Sequence, residues 1–478
     1  MRVPATSQCL RQAVHRVPPQ RRWFTCDRLI QEHDVVLLRQ RGDKRAKWKL
    51  TPALRNEESH RVKLSYGAHV RAQDLIGKRY LDTVTDSDGR EVAIHEASMA
   101  SYIVNSERMA TPIYPQDCSV IVSMLDLNPE RPGENDGPDD EVFEVFEAGT
   151  GMGSLTMHIA RALHAANPPM RKDLRDAVAT ASLERRAPAP GGEAVADAEI
   201  ETSGPEQLAE PVPRDENEVS PSTDSGLATP EPPSPVPSDV ESKPAPPPAD
   251  QQTPIQTMTL SRLEVAPSIA SDLAQWSSSR RAVLHTLDRN PAHARAAYKL
   301  LRRFRRAIYL PDVDFHIGSI HDYLTPRLAS SLGAPFLSRA VLDLPSPESF
   351  ADPVVRALKP NGLLVVFNPS ISQIADFAKW AVTTRQPLRL ERTAELPNTF
   401  HVAADEPTAN DCGGGRPWDV RTVVPRNDAS GGEIVQVMRP RVGDRVLGGG
   451  FVAVFRRLKP RGEVEKEDVK EEEKVEEE

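Results

Sequence analysis

Five short apolar runs mark the chain, each ending in a polar or glycine-bearing turn. They are Val142-Phe143-Glu144-Val145-Phe146, Ala282-Val283-Leu284-His285-Thr286-Leu287, Val313-Asp314-Phe315-His316-Ile317, Ala340-Val341-Leu342 and Leu363-Leu364-Val365-Val366-Phe367. Continuous apolar runs of this length, rich in β-branched residues, read as strands buried on both faces. Residues 292 to 308 read as a basic helix whose Arg302, Arg303, Arg305 and Arg306 form a solvated face more often than an RNA contact, and Leu358-Lys359-Pro360-Asn361-Gly362 turns into the fifth run. Strands separated by helices give a parallel sheet with right-handed crossovers, whose ligand sits at the carboxyl ends of the strands. The expected fold class is α/β, with a Rossmann-like sheet.

The acid-glycine stretch Glu147-Ala148-Gly149-Thr150-Gly151-Met152-Gly153 follows the first run directly. Three glycines at alternate positions predict a strand-to-helix turn that passes close to a ligand, where a Cβ would collide or forbid the turn. Dinucleotide sites space their glycines as G-x-G-x-x-G and set a pyrophosphate on the helix N-terminus. Here the spacing is G-x-G-x-G behind a carboxylate, which fits a ligand with a positive charge and no phosphate, such as S-adenosylmethionine. Asp288 ends the second run and is the candidate for ribose hydroxyls, or else a helix cap before Asn290-Pro291. Gly318-Ser319-Ile320 ends the third, where the cofactor's adenine would lie. Asp343-Leu344-Pro345-Ser346-Pro347 ends the fourth in a proline-locked turn. A carboxylate held there can accept a hydrogen bond from an exocyclic amine and take its proton as a ring nitrogen is alkylated.

Ahead of this core, residues 28 to 111 form a separate small unit. Val35-Val36-Leu37-Leu38, Arg61-Val62-Lys63-Leu64 and Glu91-Val92-Ala93-Ile94 predict short strands broken by Gly42, Gly67, Gly77 and Gly89. Lys44, Arg45, Lys47 and Lys49 surround Trp48, which suits either a surface for RNA phosphate or a solvated edge strand.

Composition then divides the rest. Residues 182 to 257 hold sixteen prolines, and no aromatic residue lies between Phe146 and Trp276, so this insert cannot bury enough apolar surface to offset its ordering entropy. The formal charge of -9 is concentrated: the insert has fifteen acids against four bases and residues 461 to 478 ten against four, which leaves the remainder net positive. That remainder can meet RNA. Residues 1 to 27 carry Arg2, Arg11, Arg16, Arg21 and Arg22 with no acid before Asp27, the pattern of a mitochondrial transit peptide. No apolar run is long enough to span a bilayer, so a soluble matrix protein is expected. Cys9, Cys26, Cys118 and Cys412 form no C-x-x-C pair, and neither a disulfide framework nor a zinc site is expected.

Taken in order, these residues resemble the catalytic subunit of tRNA (adenine-58-N1)-methyltransferase, in its bacterial and mitochondrial single-subunit forms. Ile113-Tyr114-Pro115-Gln116-Asp117 is similar to the family's Y-P-K-D segment, and Met124-Leu125-Asp126-Leu127-Asn128-Pro129 to the helix end after it. The ten residues from Glu147 to Thr156 resemble E-A-G-T-G-S-G-S-L-T, and Asp343 to Pro347 resembles D-L-P-x-P. Asn368-Pro369-Ser370 with Gln373 is similar to the S-P-x-x-x-Q segment, and Trp418-Asp419-Val420-Arg421 and Arg439-Pro440-Arg441-Val442-Gly443 resemble the closing strands. The resemblance implies the class I S-adenosylmethionine-dependent fold over 112 to 181 and 258 to 460. It implies Asp343 as catalytic residue, and Glu147, Gly149, Thr150, Gly151, Gly153, Ser154, Leu155, Asp288 and Ser319 as cofactor residues. It further implies a T-loop adenine of tRNA as acceptor, and a homotetramer or a pairing with a non-catalytic subunit. The chain departs from the family's pattern at Gly318 and Ser319, at Glu348, and at Asp444 and Arg445. Those departures keep two alternatives in play, methylation of another mitochondrial RNA adenine and a non-catalytic RNA-binding assembly factor.

Overall fold

A computed structural model describes residues 28–42, 48–130, 141–183, 255–396, 399–400, 418–423, 435–440, 446–447 and 449–459. The expected leader, the cluster residues Lys44, Arg45 and Lys47, most of the acidic insert, Asp444 and Arg445, and the charged tail lie outside the described residues. By contacts the chain divides into one unit of Met1–Glu184 with Thr253–Glu478 and a second of Arg185–Gln252, the latter wholly outside the described residues.

Eight strands build the central sheet: β1 (Phe143–Ala148), β2 (Gln256–Met258), β3 (Ala282–Asp288), β4 (Val313–Ile317), β5 (Leu337–Asp343), β6 (Leu358–Asn368), β7 (Leu388–Leu396) and β8 (Gly450–Arg457). Their spatial order is β7-β8-β6-β5-β1-β3-β4-β2. The five central strands, β6 to β4, are parallel. At one edge β2 pairs antiparallel with β4, and at the other β8 runs antiparallel to both β6 and β7. This is the Rossmann-like sheet expected from the run pattern. All five runs became its parallel core because residues apolar on both sides of a strand can be buried only where helices cover both faces.

The helices are α1 (Pro115–Leu125), α2 (Ser154–Leu163), α3 (Lys172–Thr180), α4 (Pro267–Ser278), α5 (Pro291–Arg303), α6 (Ile320–Ser330), α7 (Ala351–Ala357) and α8 (Ile371–Thr383). α1 to α5 pack on the face carrying Val145, Leu284, Phe315 and Val341. α6 to α8 pack on the face carrying Phe146, Leu287, Leu342 and Val366. Polar groups are buried on that second face as well. Arg280 forks onto Asp314 at 3.1 and 2.9 Å, Arg327 reaches Glu144 at 2.7 Å, and His285 Nε2 lies 3.1 Å from the same carboxylate. Burial and the neighbouring His285 charge push His316 down to about 3, so it is neutral at any working pH.

Residues 28 to 111 are β-rich and belong by contacts to the same unit as the central sheet. Lys49–Leu50, Val36–Gln40, Glu91–Glu96 and Thr83–Thr85 form an antiparallel sheet in that order, with the hairpin Arg61–Lys63 and His69–Arg71 beside it. Leu38, Leu54, Val70, Leu75 and Ile94 fill its core. Lys49 lies on the edge strand, and exposed Trp48 carries the Arg39 guanidinium 5.1 Å from its ring centroid. The helix Met99–Asn105, capped by the Ser98 hydroxyl, leads out of this region, and its Tyr102 donates a hydrogen bond to the Leu300 carbonyl of α5 at 2.9 Å.

Three expectations need correction. The basic helix ends at Arg303, not near 308, because Arg305, Arg306 and Ala307 take left-handed backbone, with φ of 45°, 57° and 58°. Its arginines are not a free solvated face: Arg302 donates to the Ala179 and Thr180 carbonyls, Arg305 pairs with Glu96, and Arg306 reaches Asp176 and Gln31. The insert also stops sooner than 257, since Gln256 already belongs to β2, which covers the open edge of β4. Finally, Trp418–Val423 pairs with Val435–Pro440 in a separate two-stranded ribbon, and it is β7 and β8 that close the main sheet.

Candidate active site

The turn leaving β1 is where register and sequence meet. Glu147 lies opposite Val341 of β5 and Thr286 of β3, so both neighbouring strands end within a few residues of the glycine turn. Asp343 is the last residue of β5 and Asp288 the last of β3. The three acids singled out in the sequence therefore share one edge of the sheet.

The three glycines serve different purposes. Gly149 has φ of 97°, and a Cβ there would lie 2.1 Å from the Asp343 carbonyl oxygen, so the turn is pressed against the end of β5. A Cβ on Gly153 would lie 2.7 Å from the Ala297 Cβ, so this glycine allows α2 to pack closely on α5. Only Gly151 has nothing within 4 Å of such a Cβ, and it is the glycine open to a ligand. Sequence reasoning gave all three to the ligand; two of them answer to packing within the protein.

Glu147 is fully buried, and its Oε2 accepts a hydrogen bond from the Thr156 hydroxyl at 2.7 Å. Its Oε1 is buried with no partner. Burial lifts this carboxyl to about 8 against the hydrogen bond from Thr156 and the nearby Thr286 hydroxyl, and the charges of Asp343 and Asp288 add to the rise. Half-buried Asp343 is lifted to about 7, first by burial and then by Asp288. Asp288 accepts from the Gly151 N–H at 3.0 Å through Oδ2 and from the Asn290 N–H at 2.8 Å through Oδ1. His293 Nδ1 lies 3.4 Å from Oδ2, which leaves Oδ1 with a lone pair free for a ligand hydroxyl.

Other expected cofactor residues turn inward. The Thr150 hydroxyl lies 2.7 Å from that of Thr286, and the Ser154 hydroxyl donates to the Ile113 carbonyl at 2.6 Å. Leu155 is buried in the core under β1. Any contact these three make with a ligand would come from the main chain. Ser319 caps α6 by accepting from the Asp322 N–H at 3.0 Å, and the Ile255 side chain lies over Gly318, at the place given to the cofactor's adenine. Cys118 is a buried thiol 3.4 Å from the Ser154 hydroxyl, pushed up by burial and therefore unreactive. Asp117, read only as part of an opening segment, is buried and accepts from the Gly449 N–H at 2.9 Å, tying α1 to the start of β8. Nothing local to Asp117 foretold that contact, 332 residues away.

A buried acid lifted in this way holds a proton in the folded chain that the unfolded chain releases. The stability contributed by Glu147 is complete below its ordinary value of 4.5 and is lost as pH rises through about 8; for Asp343 the window runs from 3.8 to about 7. Between about pH 5 and 7 each group should lower the stability of the ligand-free protein by up to about 1.4 kcal/mol per pH unit. Glu147→Gln should remove the share of Glu147, which denaturant titrations at several pH values would measure. Identical pH slopes for the variant and the parent would contradict it.

No family model matches the chain. Over 75 residues it is 39% identical to the tRNA (adenine(58)-N(1))-methyltransferase TrmI of Thermus thermophilus, in two strains alike. The matched stretch is 16% of this chain and 25% of the relative, so the chain spans about a quarter of the length of the curated relatives it matches. Among solved structures, a SAM-dependent O-methyltransferase from Thermotoga maritima aligns with a TM-score of 0.43 and 14% identity, covering 91% of this chain and 96% of that one. The tRNA (m1A58) methyltransferase TrmI from Aquifex aeolicus aligns with a TM-score of 0.40 and 13% identity, covering 91% and 100%. At these scores the likeness adds nothing to what the strand order already shows. The chain thus joins a Rossmann-like sheet, three carboxylates at its glycine-turn edge, and a short stretch homologous to a tRNA methyltransferase.

Proposed function

We propose that the chain is an S-adenosylmethionine-dependent methyltransferase acting on N1 of a T-loop adenine of tRNA, at position 58. The observation that carries this reading is the gathering of Glu147, Asp288 and Asp343 around a glycine turn, with the buried Glu147 Oε1 left without a partner. Among the described residues no lysine or arginine bonds any of the three. Burial and mutual repulsion hold two of these carboxyls up, so a cation brought among them is favoured because it lets them ionise. The cofactor would supply an electrophilic methyl group on a positively charged sulfur, and a ribose hydroxyl suits the free lone pair on Asp288 Oδ1.

Asp343 has the chemistry to act on the acceptor. As N1 of adenine takes the methyl group, the base gains a positive charge and its exocyclic amine becomes acidic. A carboxylate at the tip of β5 accepts a hydrogen bond from that amine and then its proton, so the methylated base leaves neutral. A carboxyl at about 7 is well poised to give up and take protons near neutral pH. Pro345 and Pro347 hold the turn that follows, and half-buried Asp343 is packed against the glycine turn through its own carbonyl.

The target adenine must be drawn out of its stack before its N1 can be reached, at a cost of a few kcal/mol. The N-terminal region, with Trp48 and Arg39 on its surface, is the part we assign to RNA. We assign the protein to the mitochondrial matrix on its arginine-rich N-terminus, and expect a homotetramer or a pairing with a non-catalytic subunit. Ile255 over Gly318 favours a second reading, a non-catalytic RNA-binding factor, because that side chain would have to move for an adenine.

Incubation of the full chain with methyl-labelled cofactor and tRNA transcripts, followed by mapping of the methylated base, separates these readings. Label at N1 of the T-loop adenine is the expected result. Label in another RNA adenine would change the acceptor, and RNA binding with no cofactor-dependent transfer would favour the non-catalytic factor.

A further inference from the structure

Arg289 and Phe350 meet in an arrangement that the chemistry above does not use. Arg289 follows the last residue of β3, and Phe350 stands seven residues beyond the last residue of β5. β1 lies between those two strands, so their contact spans the strand from which the glycine turn springs. The Arg289 guanidinium carbon is 5.4 Å from the centroid of the Phe350 ring.

Phe350 is half-buried, resting on the core beneath α6 to α8. Its turn is firm: the Ser349 N–H donates to the Ser346 carbonyl and the Phe350 N–H to that of Pro347, both at 3.1 Å. Arg289 is exposed and, among the described residues, forms no ion pair. The adjacent Asp288 carboxylate is engaged by main-chain N–H groups and faces His293 Nδ1 at 3.4 Å instead. An exposed guanidinium on a ring is a weak contact, whereas a nucleobase stacked on an aromatic ring is a stronger one. A base can therefore take the ring from the arginine, and the arginine it releases is a ready partner for phosphate.

We propose that Phe350 is the ring on which a base of the acceptor strand stacks as the target approaches Asp343, and that the displaced Arg289 takes the phosphate of that nucleotide. S-adenosylmethionine has an adenine but no phosphate, so a ring and a guanidinium freed together match a nucleotide of the RNA. The inference rests on the RNA-acceptor reading given above.

The test uses the full chain and its F350A, F350W and R289Q variants, with kcat and KM for a tRNA transcript and Kd for S-adenosylmethionine measured separately. F350A should raise KM for RNA roughly 10- to 100-fold with cofactor Kd unchanged, and F350W should restore it. R289Q should raise KM and reduce the slope of log KM against log salt by about 0.7 to 0.9, the share of one phosphate. If F350A fails to fold, tRNA added to F350W should quench its fluorescence beyond the change seen in the parent. Unchanged KM in F350A, a cofactor Kd that rises with it, or no extra quenching in F350W would overturn the proposal. A parent protein inactive on RNA would overturn the reading beneath it as well, whereas an active parent with a silent F350A would sink this inference alone.

Discussion

Asp343→Asn is expected to lower methyl transfer by about 10²- to 10⁴-fold, the range attributed to a positioned acid or base. The asparagine keeps the shape at the tip of β5 but can no longer take the proton of the exocyclic amine. Cofactor affinity should fall much less, because Glu147 and Asp288 still face the positive charge. The parent's kcat/KM, which reports the free enzyme, should rise with pH through about 7, where the Asp343 carboxyl loses its proton, and the variant should lack that limb. Removing one of three neighbouring acids also relieves repulsion, so the ligand-free variant should melt higher than the parent above about pH 7. Single-turnover transfer and calorimetric cofactor titration measure the two effects separately. A loss below tenfold would remove Asp343 from the chemistry, and an equal loss of rate and cofactor affinity would make it a binding residue.

Gly149→Ala is expected to damage stability and activity together, whereas Gly151→Ala should largely spare stability and weaken cofactor binding. At position 149 the new methyl group would lie 2.1 Å from the Asp343 carbonyl oxygen, and φ of 97° is a conformation that side chains rarely adopt. Left-handed strain costs roughly 1–2 kcal/mol, and overpacking a site this close adds about 1–3 kcal/mol. The obstacle is backbone, so relief must come from moving the end of β5 and with it the catalytic acid. Activity should therefore fall further than the loss of folded protein explains. At position 151 no atom lies within 4 Å of a Cβ, so only the conformational cost remains, together with any clash against the bound cofactor. Thermal melts and cofactor Kd for the two variants decide the matter. Equal damage at both positions would mean that the turn is tuned to the ligand alone.

The parts of the site legible in the sequence are those with a short-range signature. Glu147 and the glycines follow an apolar run within seven residues, and Asp288 and Asp343 each close one. Residues recruited across the fold left no such trace. Phe350 is an ordinary aromatic in a helix-capping position until Arg289 reaches its ring, and Asp117 looks like any first-turn acid until Gly449 donates to it. Arg302, Arg305 and Arg306 read as a solvated stripe because periodicity ranks faces by polarity and cannot see Glu96 or Asp176 arriving from elsewhere. Gln256 to Met258 sat in proline-rich surroundings too polar to suggest a strand, yet β4 offered an open edge and the backbone took it.

Local chemistry along the chain was enough for the alternation of strands and helices, for the turn behind β1, and for three acids at strand ends. Each of those follows from the preferences of residues a few positions apart. Which acids would face one another, which glycine would stay open and which arginine would lie on which ring were left to the tertiary structure. Those outcomes depend on the register of β5, β1 and β3, and register is settled by burying both faces of the sheet together. The same burial lifts Glu147 to about 8 and leaves its second oxygen without a partner, a property that no isolated stretch of the chain possesses.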